Sequence, residues 1–240
     1  MLNLVLVPGI MSDKRTWAAL AASLAKQFRV WDADTTKDQT IEAMAQRALA
    51  EMPAGDMIIV AHSMGTRVAM EMGRLAGDRV VGMVLSNGAH AAASAAEWPK
   101  RQARIDEANA DMAAYAAGWV PTVVSAENLE RTELLAQVRQ MVMDCGPEIH
   151  ARQNRALLTR PDAATYVGEF DFPVLLIIGE QDHLAPEAAQ RDFAHLFQRA
   201  EVVVVPGAGH LTPFEQPDAV VRVVNDWIEG SLAGADAFGS

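Results

Sequence analysis

Met57-Ile58-Ile59-Val60-Ala61-His62-Ser63-Met64-Gly65 is the stretch whose reading decides the fold. Its apolar start predicts a buried strand, and the Met64–Leu75 segment beyond it has helical character. Between them stands a serine with small residues on either side, Ala61 two before it and Gly65 two after it. This is the layout of a nucleophile elbow, G-x-S-x-G in its commonest form. The strand-to-helix turn is so tight that larger flanking side chains would collide with neighbouring backbone. The serine is held strained, with its oxygen at the top of the sheet. Ala61 replaces the usual glycine with a single methyl group. The bland alternative is a serine capping an ordinary helix. The strand before it and the helix after it favour the elbow, and on this reading Ser63 is a catalytic nucleophile.

The chain of 240 residues is long enough for one large core and a small inserted subdomain, and half of it is apolar. A net charge of −11, with no clustered run of Lys and Arg, argues against a nucleic-acid partner. Cys145 is the only cysteine, so no intrachain disulfide forms; it reads as a small buried hydrophobe. Met1 to Val7 has no basic flank and runs into Pro8-Gly9, so it reads as a strand rather than a signal peptide. No stretch approaches the roughly 18 consecutive apolar residues of a membrane span. The expectation is a soluble cytoplasmic protein with no membrane partner.

Short apolar runs alternate with amphipathic stretches, the pattern of βαβ units around a parallel sheet. Strands are expected at Leu2–Val7, Arg29–Asp32, Met57–Ala61, Val80–Leu85, Val174–Ile178 and Glu201–Val205. Trp17, Leu20, Ala21 and Leu24 recur at helix spacing, as do Ile41, Met44, Ala45, Ala48 and Leu49. Pro186 and Pro217 stand where first helical turns would start. The alternation breaks between about Ala89 and Glu169, which is rich in Ala, Met, Glu, Arg and Gln. The division expected is an α/β core from residues 1–88 and 170–230, a helical cap over 89–169, and a loosely held Gly/Ala-rich tail over 231–240. A cap at the carboxyl edge of a sheet overlies the ligand crevice. Met11, His90, Trp98, Trp119, Met141, His183 and Leu211 are therefore candidate substrate-binding residues. The Met-rich cap reads equally as a dimer surface, which leaves the oligomeric state open.

A serine hydroxyl is a poor nucleophile until a base takes its proton, usually a histidine oriented by a carboxylate. Val174–Ile178 leads into Gly179-Glu180-Gln181-Asp182-His183, and the last strand leads into Pro206-Gly207-Ala208-Gly209-His210. Both loops follow carboxyl ends of strands, where functional residues collect. The order Ser63, Asp182, His210 is the Ser…Asp…His order of one known triad arrangement. Glu180 is a rival to Asp182 nearer the strand end. His62 should point away from its neighbour Ser63, and His150 and His195 fall in helical patterns. There is no H-E-x-x-H and no Cys/His pair at ligand spacing, so neither a metal nor another cofactor is expected. The oxyanion donors expected are the backbone N–H groups of Met64 and of Ile10, in the Pro8-Gly9-Ile10-Met11 loop.

The chain resembles the α/β-hydrolase superfamily over nearly its whole length. Val5-Leu6-Val7-Pro8-Gly9 with Trp17, Ala61-His62-Ser63-Met64-Gly65, Gly179-Glu180-Gln181-Asp182 and Gly209-His210-Leu211-Thr212-Pro213-Phe214-Glu215-Gln216-Pro217 carry the resemblance. Many relatives have His-Gly where this chain has Pro8-Gly9, and those that cleave carbon–carbon bonds often have a second glycine where it has Thr66. Serine at position 63 excludes an aspartate nucleophile. The resemblance implies a compact member with about six mostly parallel strands flanked by helices, and without the N-terminal antiparallel hairpin. It also implies a serine hydrolase of carboxylesterase or lactonase type, acting on a small or medium, largely apolar ester or lactone. Carbon–carbon bond hydrolysis, acyl transfer, perhydrolysis and slow-turnover reception of a small molecule stay open, since fold does not fix function.

Overall fold

The computed structural model describes residues 1–232. Its strands are β1 (Asn3–Val7), β2 (Arg29–Asp32), β3 (Met57–His62), β4 (Val80–Ser86), β5 (Val174–Gly179) and β6 (Ala200–Val205). They form one sheet in the order β2-β1-β3-β4-β5-β6, with every neighbouring pair parallel. Each strand lies within one residue of its apolar run. The helices are α1 (Ala18–Leu24), α2 (Ile41–Glu51), α3 (Met64–Ala76), α4 (Glu97–Ala110), α5 (Met112–Trp119), α6 (Thr132–Leu158), α7 (Glu187–Ala194), α8 (Thr212–Glu215) and α9 (Pro217–Leu232). Pro217 opens α9, whereas Pro186 precedes α7 as its extended cap. Ser231 and Leu232 close α9 rather than starting a tail, and 233–240 lie outside the described residues.

Successive strand residues point to opposite faces, so each apolar run feeds two cores. Val5, Val7, Ile59, Ala61, Met83 and Leu85 meet Ile41 and Met44 of α2 and Val68 and Met72 of α3. Leu4, Leu6, Ile58, Val60 and Val84 meet Trp17, Leu20 and Leu24 on one side and Val220, Val224, Trp227 and Ile228 of α9 on the other. The Trp17 indole N–H donates to the Val7 carbonyl at 3.1 Å, which satisfies its polar edge inside that core.

Helices α4, α5 and α6 lie between β4 and β5 with their own core. Ala116, Val120, Val138, Met141 and Val142 pack there with Met11 and Leu211 from the sheet's carboxyl edge. Gly146 interrupts α6 with φ 72°, a left-handed conformation that glycine adopts without a Cβ clash, and Pro147 starts the helical run again. Among the described residues, no helix is long and apolar enough to cross a membrane.

Candidate active site

β3 ends at His62, and Ser63 follows with φ 51° and ψ −116°. A non-glycine residue in this region costs about 1–3 kcal/mol and persists only where its surroundings fix it. The Ser63 N–H donates to the Ser86 carbonyl at 2.9 Å, and the Ser63 carbonyl accepts from the Thr66 hydroxyl at 2.6 Å. Gly65 is the close approach the elbow requires: a Cβ there would stand 2.5 Å from the Pro8 carbonyl oxygen and 2.7 Å from that of Val7.

The Ser63 Oγ lies 2.8 Å from His210 Nε2, and His210 Nδ1 lies 2.9 Å from Asp182 Oδ2. A carboxylate only accepts, so Nδ1 carries the proton and Nε2 is left to accept from the serine hydroxyl. Burial alone would raise the Asp182 pKa. The hydrogen bond and charge of His210, with bonds from Asn87 and the Ala185 N–H, outweigh it and bring the carboxyl down to about 2. Asn87 Nδ2 donates to Asp182 Oδ2 at 2.8 Å, while the Leu184 and Ala185 N–H groups donate to Oδ1 at 2.9 and 3.0 Å. Glu180, the rival, instead accepts from the Gly207 N–H at 3.2 Å.

A folded pKa below the unfolded value adds stability that is present above the unfolded pKa of 3.8 and lost as pH falls through about 2. The stability gap between wild type and Asp182→Asn is therefore expected to narrow by about 1 kcal/mol between about pH 6 and about pH 3. Urea titrations at the two pH values measure it, and a gap that widens contradicts the placement of the charge.

His210 is held from two further sides. His62 is fully buried, and its Nε2–H donates to the His210 carbonyl at 2.8 Å. Burial first, and the nearby His210 second, bring His62 down to about 3, so it stays neutral and serves as a brace. Glu215, also buried, accepts from the Gly209 N–H at 2.9 Å, the Ser125 N–H at 2.7 Å and Asn128 Nδ2 at 2.8 Å. That carboxylate ties the histidine loop to the helical insertion.

Among the described residues, the Ile10 and Met64 N–H groups have no acceptor. The Met11 N–H is taken by Gln153 Oε1 at 2.8 Å, which leaves Ile10 as the free donor of that loop. Both Ile10 and Met64 line the same cavity as Ser63 and His210, a space of about 240 Å³. Its apolar walls come from Ile10, Met11, Met64, Trp119, Leu157 and Leu184.

Of the seven candidate substrate-binding residues, Met11 and Trp119 line this cavity. The other five do not. His90 sits 3.5 Å from Asp162 and packs against the Phe193 ring. Trp98 is 55% exposed, and His183 is exposed as well. Met141 and Leu211 are spent in the core of the insertion. The cavity is also lined by residues that sequence reasoning did not single out: Arg67, Asn87, Arg101, Arg104, Tyr115 and Asn154. Asn87 was legible in principle, because it follows β4 at the same carboxyl edge that pointed to Asp182. Arg67 stands one helical turn beyond Ser63 and so at the same end of α3. Nothing local marks Arg101 and Arg104, which read as a solvated helix face. Among the described residues, no group of three or more His, Cys, Asp or Glu is arranged to hold a metal ion.

The model of the alpha/beta hydrolase family matches residues 4–223. A biotin biosynthesis bifunctional protein of Cellvibrio japonicus is 25% identical over 97% of this chain and 49% of its own length, so the chain spans about half of that relative. A pimeloyl-[acyl-carrier protein] methyl ester esterase of Nitrosomonas europaea is 23% identical over 91% of this chain and 92% of its own. Among solved structures, a thermophilic esterase from Thermogutta terrifontis, with malate bound, matches with a TM-score of 0.89 at 26% identity, covering 96% of this chain and 90% of that one.

Proposed function

The chain belongs to the alpha/beta hydrolase family, and from that premise we propose that it is a serine hydrolase of carboxylic esters or lactones. One observation carries the reading: the unbroken hydrogen-bonded line from Ser63 through His210 to Asp182, at 2.8 and 2.9 Å, opening on a cavity with two unengaged N–H groups. Esterase-named relatives support the class.

Ser63 Oγ attacks the ester carbonyl while His210 Nε2 takes its proton. The carbonyl oxygen becomes an oxyanion and receives the Ile10 and Met64 N–H groups, donors of a kind worth about 3 kcal/mol each. Collapse expels the alcohol, which leaves with the proton from His210. Water, deprotonated by the same imidazole, attacks the acyl-enzyme and releases the acid. Asp182 keeps the imidazole in the tautomer this requires and stabilises its cation. Residues 89–169 act as the cap of the site, supplying Trp119, Tyr115 and Leu157 to the cavity. Its volume of about 240 Å³ suits a small ester or lactone with an apolar body.

The test combines p-nitrophenyl acetate and butyrate with a serine-directed phosphonate. Release of nitrophenol, with one phosphonate per chain at Ser63 by mass spectrometry, is the expected result. Labelling at another residue, or turnover that survives full labelling of Ser63, would sink the proposal.

A further inference from the structure

The cavity that opens on Ser63 is lined by three arginines and no carboxylate. Arg67 comes from α3, while Arg101 and Arg104 stand one turn apart on α4. The chain as a whole carries a net charge of −11, so this concentration of cations runs against its overall balance. A fourth arginine, Arg160, stands behind them. Glu97 is the acid bonded to the group, and it is already engaged; Glu107 lies further along α4, near Arg104 and Tyr115 but outside the cavity lining. Glu97 accepts from Arg160 at 2.6 and 3.0 Å and from Arg101 at 3.3 and 3.4 Å. Among the described residues, Arg67 and Arg104 pair with no carboxylate.

Arg67 is half-buried, and its guanidinium donates to the Ala91 carbonyl at 2.9 Å. A single neutral acceptor leaves most of its fork unengaged. Burial first, and Arg160 next, hold it well below the usual guanidinium range, at about 9. It is still a cation at neutral pH, and among the described residues no carboxylate comes within ion-pair distance of it, Glu97 acting only from further off. A charge even partly withdrawn from water is costly unless something pairs with it. Tyr115 and Asn154 add polar edges on the same wall, and Arg101 reaches Asn154 Oδ1 at 3.2 Å.

Resting on the hydrolase reading above, we infer that the substrate carries a carboxylate, received in the cavity by Arg67 together with Arg101 and Arg104. The planar guanidinium fork matches two carboxylate oxygens, and the partial burial of Arg67 and Arg101 strengthens the pairing. The substrate class is then the half-ester of a dicarboxylic acid, or a lactone bearing an acid group: an apolar spacer with an ester at one end and an anion at the other.

Monomethyl succinate and methyl 4-oxopentanoate test this, since they share a shape and differ in charge. Calorimetric titration into the Ser63→Ala protein reads binding without turnover. The acid is expected to bind about 10-fold or more tighter than the ketone, as a charge-assisted pair in a partly shielded site would give. Arg67→Gln in the same background should remove most of that difference. Arg104→Gln, whose side chain makes no hydrogen bond among the described residues, should reduce it, and it carries the test should Arg67→Gln not fold. Equal affinity for the two probes, no measurable binding of monomethyl succinate, or a preference unchanged in both variants would overturn the inference. A preference for the acid in a protein that hydrolyses neither ester keeps the anion pocket and removes the hydrolase reading. Equal hydrolysis of both esters does the reverse.

Discussion

On short-chain esters, Ser63→Ala is expected to lower kcat by about 10⁵-fold or more, the scale at which triad members act as one unit. The hydroxyl is the atom that bonds to the acyl group, and no nearby side chain replaces it. His62 is neutral and committed to the His210 carbonyl. The Thr66 hydroxyl is committed to the Ser63 carbonyl. The fold should survive. Alanine keeps the φ of 51° at the same cost as serine, and the side-chain hydrogen bond it gives up is the one to His210 at 2.8 Å. The unfolding free energy should therefore change by less than about 1 kcal/mol. Ser63→Gly separates backbone from chemistry. It should be equally inactive yet more stable, by about 1 kcal/mol, because glycine adopts this conformation without strain. Paired kinetics and thermal melts decide the matter. An alanine variant with more than about a hundredth of wild-type kcat would contradict the assignment of the nucleophile.

Asp182→Asn should cost about 10⁴ in kcat, the penalty for the wrong histidine tautomer. The surroundings of Asp182 explain why the amide cannot be accommodated. Every group bonded to the carboxylate is a donor: Leu184 and Ala185 N–H on one oxygen, Asn87 Nδ2 and His210 Nδ1 on the other. An amide nitrogen placed on either side meets two donors with a donor. Placed toward His210, it forces the imidazole to move its proton to Nε2. Ser63 then faces an N–H instead of a base. Placed toward Leu184, it leaves two backbone N–H groups without an acceptor, at roughly 1–3 kcal/mol each. Both activity and stability should fall, which distinguishes this change from Ser63→Ala. An Asp182→Asn protein with near-normal kcat would move the orienting role to another acid.

The strands were legible because each is a short apolar run buried on both faces, and hydrophobic patterning reports burial directly. Their ends were off by single residues for a physical reason. His62 and Ser86 are polar, yet they pair as partners in the β3–β4 ladder and are buried at the sheet's carboxyl edge. Ser63, Asp182 and His210 were legible because each follows such an edge. The pocket was not. Trp98 and Met141 sit in amphipathic helices, and periodicity says which face is apolar without saying what that face meets. Met141 meets the core of the insertion, and Trp98 lies exposed. Conversely, Arg67, Arg101 and Arg104 look like solvated helix positions. Only the fold, which brings α3 and α4 to the rim of one cavity, makes them neighbours, and no spacing within one helix encodes it.

Gln153 joins parts that chemistry would keep separate. It lies on α6 and is fully buried; its Oε1 holds the Met11 N–H at 2.8 Å, and its Nε2 reaches the Thr35 carbonyl at 3.3 Å. One amide thus bolts the roof of the cavity to the loop that carries the Ile10 N–H. Gln153→Ala should therefore leave the Met11 N–H, next to the proposed oxyanion donor Ile10, without its acceptor. Anchoring of the insertion and placement of that loop thus hang on one side chain, so a change at Gln153 is felt on both walls of the cavity at once.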